Sequence, residues 1–544
     1  MASATAVFYN GRFYTVDSED SVAGALAVRN ERILGVGRSP EEIRGLTDRD
    51  TEWIDLGGAT VIPGIIDSHN HVPMAGLIMD GVMLFDAQSI EDLKEMVAQK
   101  ADTLEPGKWI LGGGWIENQF EEWRLPTRED LDQVAPDHPV LLRRLFGMCV
   151  VNSRALEAAG ITASTPDPEG GRIDRHPDTG RPTGILRDRA QAMVDSAVSR
   201  GDMGEMTQRL ETSISRAAQE YTRWGITSVV DPGVPPLAMR AYQNLYLRGD
   251  LPIRVNMMPA WHGLQAVADE EELTGRLDHL GVYTGFGDHH LSLGALKMAI
   301  DGGLGSKTSL MYQEYIDGTR SEVPLRLDAD RLGEYVEMGH SRGWSIGIHT
   351  CGDKAQDMAC RVLAQAIDRG GRERPHHHNI IHGYFPTEES LDIMARSGIA
   401  VSAQPGFIWV EGDLYLTVIS PERAAQFKPL KTYIDRGILV ACNSDMTSAH
   451  YNPFWGMHSA LTRKTALGEI LGADECLTRE QTLRAFTLNG AILTGEERDK
   501  GSLEPGKLAD MAVLDRDIMA VPDEQVREAA CTMTVLGGRV IYQR

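Results

Sequence analysis

Residues 61–72, VIPGIIDSHNHV, set the reading of the whole chain. An apolar run from Val61 to Ile66 ends on Asp67, and two histidines follow at positions i and i+2. In an extended strand such positions share a face, so His69 and His71 point one way and Asn70 the other. Short apolar runs recur downstream at Thr227–Asp231, Ile253–Met258, Leu291–Met298, Ser345–His349, Asn379–His382, Ala400–Ala403 and Ile438–Cys442. Amphipathic helical stretches separate them, which is the alternation of a parallel α/β protein. With Val61–Asp67 the runs number eight, the strand count of a (β/α)8 TIM-like barrel.

The first crossover is anomalous. It runs from Asp67 to Thr227, whereas a βαβ unit needs only about 30 residues. The Trp- and Gly-rich segment at about 80–200 therefore reads as a subdomain inserted after barrel strand 1, over the barrel mouth. Both chain ends read as short strands. Ala6–Val16 is interrupted by Asn10-Gly11, a strong hairpin signal, and Met533–Tyr542 carries Gly537-Gly538 as its turn. Together they predict a small β-sandwich domain built from both termini, residues 1–60 plus 500–544, beside a barrel at 61–499.

Composition sets outer limits. The 54 Lys+Arg and 78 Asp+Glu leave a net charge of −24, which disfavours nucleic acid or an anionic membrane as partner. At 42% hydrophobic and 24% charged, the 544 residues suit a soluble globular protein with a large core. The 6 cysteines are scattered without a C-x-x-C pair, a usage that fits a reducing, cytoplasmic compartment. Neither a signal peptide nor an 18-residue apolar run is legible.

Four further residues stand at or just after the ends of expected strands: Lys297, His349, His382 and Asp445. Barrel enzymes hold their sites at that end. Each has an ordinary explanation taken singly, as a surface lysine, a core histidine or a helix cap. Four of them, one per strand, following H-x-H in the order Lys, His, His, Asp, instead point to a metal-ligand set.

These segments resemble the metal-dependent amidohydrolase superfamily, and within it amidohydrolase family 3, over nearly the whole chain. VIPGIIDSHNHV resembles the first-strand metal motif, LKMAIDGGLGSKTSLM (296–311) the fourth-strand lysine segment, and IGIHTCGDKAQDMA (346–359) the fifth-strand histidine segment. NSDMTSAHYNPFWGMHSALTR (443–463) is similar to the eighth-strand aspartate segment, and GSLEPGKLADMAVLD (501–515) to the return into the β domain.

The resemblance implies two divalent cations, zinc first with manganese or iron as substitutes. His69 and His71 would hold one ion, His349 and His382 the other. Lys297 would bridge both in carboxylated form, since an ammonium cannot bind a cation. A metal pair acidifies water and polarises a carbonyl. Asp445, itself a ligand, would carry the proton to the leaving nitrogen. The activity implied is hydrolysis of a non-peptide C–N bond, of amide, N-substituted formamide or carbamate type, in a small, neutral, partly apolar substrate. The alternatives are an aminohydrolase acting on a ring C–N bond and a non-hydrolytic isomerase or decarboxylase. A homodimer is an assembly compatible with the superfamily.

The chain also departs from the family pattern. Met148 stands where relatives carry a polar residue, and Ile381 where a glutamate often precedes the histidine. Both changes make the site more apolar and favour an apolar or aromatic substituent, with Met148 and, from the inserted segment, Trp115 as candidates for its wall, and Trp109 and Trp123 as further ones. The second removes an expected hydrogen bond to His382. His376-His377-His378 reads as a solvated loop, and Cys351 as a packing residue.

Overall fold

A computed structural model describes residues 3–544 apart from 146, 169–170, 199–202, 263–274, 276–277, 279–280, 322–328 and 371–375. Eight parallel strands form the central sheet: β1 (Ile65–Asp67), β2 (Ile226–Val234), β3 (Arg254–His262), β4 (Leu296–Ala299), β5 (Ile346–Thr350), β6 (Asn379–His382), β7 (Ala400–Ala403) and β8 (Val440–Cys442). They pair in chain order from β1 to β8, an α/β barrel that is nearly closed. Most are wholly buried, as strands covered on both faces must be, and this makes them legible as apolar runs.

The seam between β8 and β1 is laced by side chains and loop backbone. Ser444 donates from N and Oγ to the two Asp67 oxygens at 3.0 and 2.6 Å, and Ser68 Oγ donates to Cys442 O at 3.1 Å. Beyond the strands, Asp445 N donates to His69 O at 2.9 Å and His71 N to Met446 O at 2.8 Å. The loops that carry the candidate site thus close the barrel.

Crossover helices follow the expected period. Asp353–Gly370 buries Ala355, Ala359, Leu363 and Ile367 along one face against the sheet.

Two expected strands prove divided. Val61–Asp67 splits into Thr60–Pro63, which joins the terminal β unit, and β1. The break falls at Gly64, where a Cβ would lie 2.1 Å from the Thr227 hydroxyl, so only glycine lets the chain pass. Leu291–Met298 splits into Leu291–Leu293 and β4.

Strands from both termini pair in one hydrogen-bonded sheet of eight. Asn10-Gly11 is not a hairpin turn: Ala6–Tyr14 is a single strand with a bulge between Tyr9 and Phe13. Asn10 takes a φ of 54° there and donates to Asp55 at 2.7 Å. The bulge lets the strand change partners, from Glu52–Asp55 at one end to Thr60–Val61 at the other. Gly537 and Gly538, both at positive φ, do make the expected turn between Cys531–Leu536 and Arg539–Gln543. A buried Arg254–Asp510 pair, at 2.7 and 2.9 Å, ties β3 to this unit.

Between β1 and β2, six strands form their own sheet, in the order Gly171–Arg175, Pro182–Asp188, Met148–Val151, Val140–Arg144, Ile110–Trp115, Val82–Met83. Gly147 and Asp188 from this region reach the cavity at the barrel mouth. No helix among the described residues is long and apolar enough to cross a membrane.

Candidate metal centre

A cavity of about 240 Å³ opens at the C-terminal ends of the barrel strands, lined by His69, His71, Lys297, His349, His382 and Asp445 among others. All six residues expected from the sequence meet there. His69 Nε2 lies 3.2 Å from Lys297 Nζ and 3.8 Å from Asp445 Oδ1. His71 Nε2 is 3.3 Å from the same carboxylate oxygen. His349 Nδ1 is 2.8 Å from His382 Nε2, and His382 Nδ1 is 3.9 Å from Asp445 Oδ2.

Local structure aims these side chains. The i, i+2 relation after β1 sends both histidines into the cavity, while Asn70 turns away and accepts from Tyr221 at 2.6 Å. Asp67 organises the loop by accepting from Asn70 and Ser444. Burial pushes its carboxyl up to about 6 despite those donors. His382 and Asp445 adopt left-handed φ values of 83° and 48°. Such conformations cost about 1–3 kcal/mol at non-glycine residues and concentrate at functional sites.

The donor set suits a divalent metal. Burial holds His69 well below the usual histidine range, and burial and His349 do the same for His382. Both imidazoles are therefore neutral and keep a lone pair for coordination. His69 turns Nε2 toward Lys297 and Asp445, while its Nδ1 is buried without a hydrogen-bond partner in the protein. The donor atoms of His69, His71 and Asp445 all lie within 4.8 Å of one another, and so do those of His349, Cys351 and His382.

The hydrogen bond expected to be missing beside His382 comes from elsewhere. Gln404, one residue beyond β7, places Oε1 2.8 Å from His382 Nδ1 and accepts from Lys428 Nζ at 2.7 Å. An acceptor there fixes the proton on Nδ1 and leaves Nε2 to the cavity. Its position after a barrel strand is the same signal that marked His349 and Asp445. Lys428 also donates to His382 O at 3.1 Å and sits 4.3 Å from the centre of the Tyr384 ring; burial brings its pKa down to about 7.

Glu411 was not legible as a site residue. It lines the cavity from helix Gly406–Tyr415, with Oε2 bonded by the Tyr415 hydroxyl one turn on and Oε1 buried without a partner. Burial pushes its carboxyl up to about 8.

Trp115 and Met148 do not reach the cavity. Both pack in the core of the inserted sheet, where Trp115 is fully buried and donates to Leu142 O at 3.2 Å. Their strands turn these side chains inward, and Gly147, next to Met148, meets the cavity instead. Trp109 packs against a second cluster of the insertion and Trp123 is exposed. The triple histidine is no solvated loop. His378 is fully buried, accepts from Ile346 N at 2.9 Å and lies 2.9 Å from His340 Nδ1.

A model of the amidohydrolase family matches residues 52–542. Protein LONG AFTER FAR-RED 3 of Arabidopsis thaliana is 31% identical over 549 residues, covering 98% of this chain and 91% of its own. The N-substituted formamide deformylase of Arthrobacter pascens is 29% identical over 544 residues, covering 98% of each chain. A solved structure, described as an uncharacterized metal-dependent hydrolase from Pyrococcus furiosus, aligns with a TM-score of 0.74 at 27% identity, over 94% of this chain and 99% of its own. The chain belongs to the amidohydrolase family, as a metal-dependent hydrolase acting on C–N bonds other than peptide bonds.

Proposed function

We propose that the protein hydrolyses the C–N bond of a small, neutral, partly apolar amide, with N-substituted formamides and carbamates as the first classes to try. The observation that carries this reading is the convergence of four histidines, Lys297 and Asp445 on one cavity of about 240 Å³. That space suits a compact substrate. The name of the Arthrobacter pascens relative supports formamides in particular, and Leu304, Tyr384 and Tyr415 on the wall suit an apolar or aromatic substituent.

His69, His71 and Asp445 would hold one divalent ion, zinc first, and His349 and His382 a second, with carboxylated Lys297 between them. Such ions, when bound, acidify water and polarise a carbonyl. Asp445 performs the proton transfers: a carboxylate oxygen takes the proton released as water attacks and returns it to the nitrogen that leaves. Protonation matters because an amine departs poorly as an anion. Gln404 holds His382 in one tautomer, and the Asp67–Ser444 bonds keep the H-x-H loop and the Asp445 loop in register.

Lys297 in the cavity, beside His69, favours this chemistry over ring deamination. The same reading divides the chain into a composite β domain from both termini that takes in Thr60–Pro63, a barrel that starts at Ile65 and runs to about 499, and an insertion at about 80–200, acting in the cytoplasm. An amine-release screen of the zinc-loaded protein over formanilides, acyl anilines, carbamates and hydantoins tests it. Turnover of formanilides or carbamates is expected; turnover of none of the four classes, with ammonia released from ring amines instead, would refute it.

A further inference from the structure

The H-x-H pair after β1 has a counterpart at β5. His349 and Cys351 also stand two residues apart at a strand end, and both line the cavity. Cys351 Sγ lies 3.6 Å from His349 Nε2, while the other nitrogen of that ring faces His382. We propose that Cys351 is a thiolate ligand of the second metal site, which His349, Cys351 and His382 hold together. The proposal rests on the metal-dependent reading above.

Three observations support it. The first is spacing. Zinc–nitrogen and zinc–sulfur bonds of about 2.0 and 2.3 Å at a tetrahedral angle set the two donor atoms about 3.5 Å apart, close to the 3.6 Å found between Nε2 and Sγ. The second is rigidity. Asp301 accepts from Cys351 N at 3.0 Å, Gly352 N at 2.8 Å and Leu310 N at 2.9 Å, which fixes the backbone under the sulfur. The third is the donor count. Asp301 Oδ1 lies 4.0 Å from His349 Nε2, but both Asp301 oxygens already accept backbone N–H groups. The donor cluster on this side is therefore two imidazoles without the sulfur and, with it, three donors like His69, His71 and Asp445.

Coordination replaces the S–H bond with a sulfur–metal bond and releases the proton to solvent. A soft donor of this kind favours zinc, or cobalt as its spectroscopic substitute, over magnesium and manganese. A residue that merely fills space would have no such effect.

Cobalt(II) binding to the full-length protein tests the assignment. The wild type is expected to show a near-ultraviolet thiolate-to-cobalt charge-transfer band, and Cys351→Ser to lose that band while cobalt stays bound. Cobalt bound by the wild type without the band, or a band unchanged in Cys351→Ser, would overturn the ligand role and leave the metal-dependent reading standing. Failure of the wild type to bind cobalt or zinc at all would overturn both. Should Cys351→Ser not fold, zinc-edge X-ray absorption of the wild type decides. A sulfur neighbour at about 2.3 Å supports the proposal, and a shell of nitrogen and oxygen alone refutes it.

Discussion

Asp445 Oδ1 lies 3.3 Å from His71 Nε2, across the seam where β8 meets β1. The contact joins the last strand of the barrel to the first, so closing the barrel and assembling the site are one structural event. Asp445→Asn keeps the shape and removes the proton acceptor. A fall in kcat of about 10²–10⁴-fold is expected, with far-ultraviolet circular dichroism unchanged. Steady-state rates on the best substrate of the screen measure it; a loss below threefold would exclude Asp445 as the proton carrier.

Gln404 accepts from both Lys428 and His382, so its removal should be felt twice. Gln404→Leu is expected to weaken metal binding by about 10–100-fold. It should also destabilise the fold by about 1–3 kcal/mol, because buried donors lose their acceptor. Chelator competition and thermal unfolding read the two effects separately, and Gln404→Glu, which retains an acceptor oxygen, should restore the first.

Glu411 gives a pH signature. Its carboxyl is raised by burial from 4.5 to about 8, so the folded chain holds this proton more tightly than the unfolded one. That contribution to stability is full below the unfolded value and is lost as the pH rises towards about 8. Glu411→Gln abolishes the titration. Its Tm relative to wild type should therefore rise between about pH 5 and about pH 9; a constant difference would contradict the assignment.

Lys297 Nζ sits 3.2 Å from His69 Nε2, within a ligand cluster that a free ammonium would repel. Lys297→Ala is expected to retain fewer metal equivalents by elemental analysis. The wild type, but not the variant, should gain a carbamate carbon resonance after labelling with 13C-bicarbonate. Two metals bound undiminished by the variant would remove Lys297 from the site.

The barrel was legible because its strands are short and buried on both faces, so each appears as an apolar run closed by a polar residue such as His382 or Asp67. His69 and His71 could be paired from their spacing alone. Gln404 carried the same positional signal but lacked a ligand chemistry to draw attention to it. Glu411 and Lys428 lie beyond β7, where no periodic pattern ties a polar side chain to the cavity. Trp115 shows the converse limit. Its size marks it as a wall residue, yet the face it occupies depends on the register of the inserted sheet, and that register packs it into a separate core. At Asn10-Gly11, tertiary pairing overrode a local turn signal, since one strand had two parallel partners to satisfy.

The central claim, that this cavity works through bound metal, is tested most directly by metal analysis of the purified protein coupled to amine release. One to two equivalents of zinc or a similar ion per chain are expected, with activity abolished by chelation and regained on returning the metal with bicarbonate. Only trace metal, together with no gain of activity on adding zinc or manganese plus bicarbonate, would contradict the account.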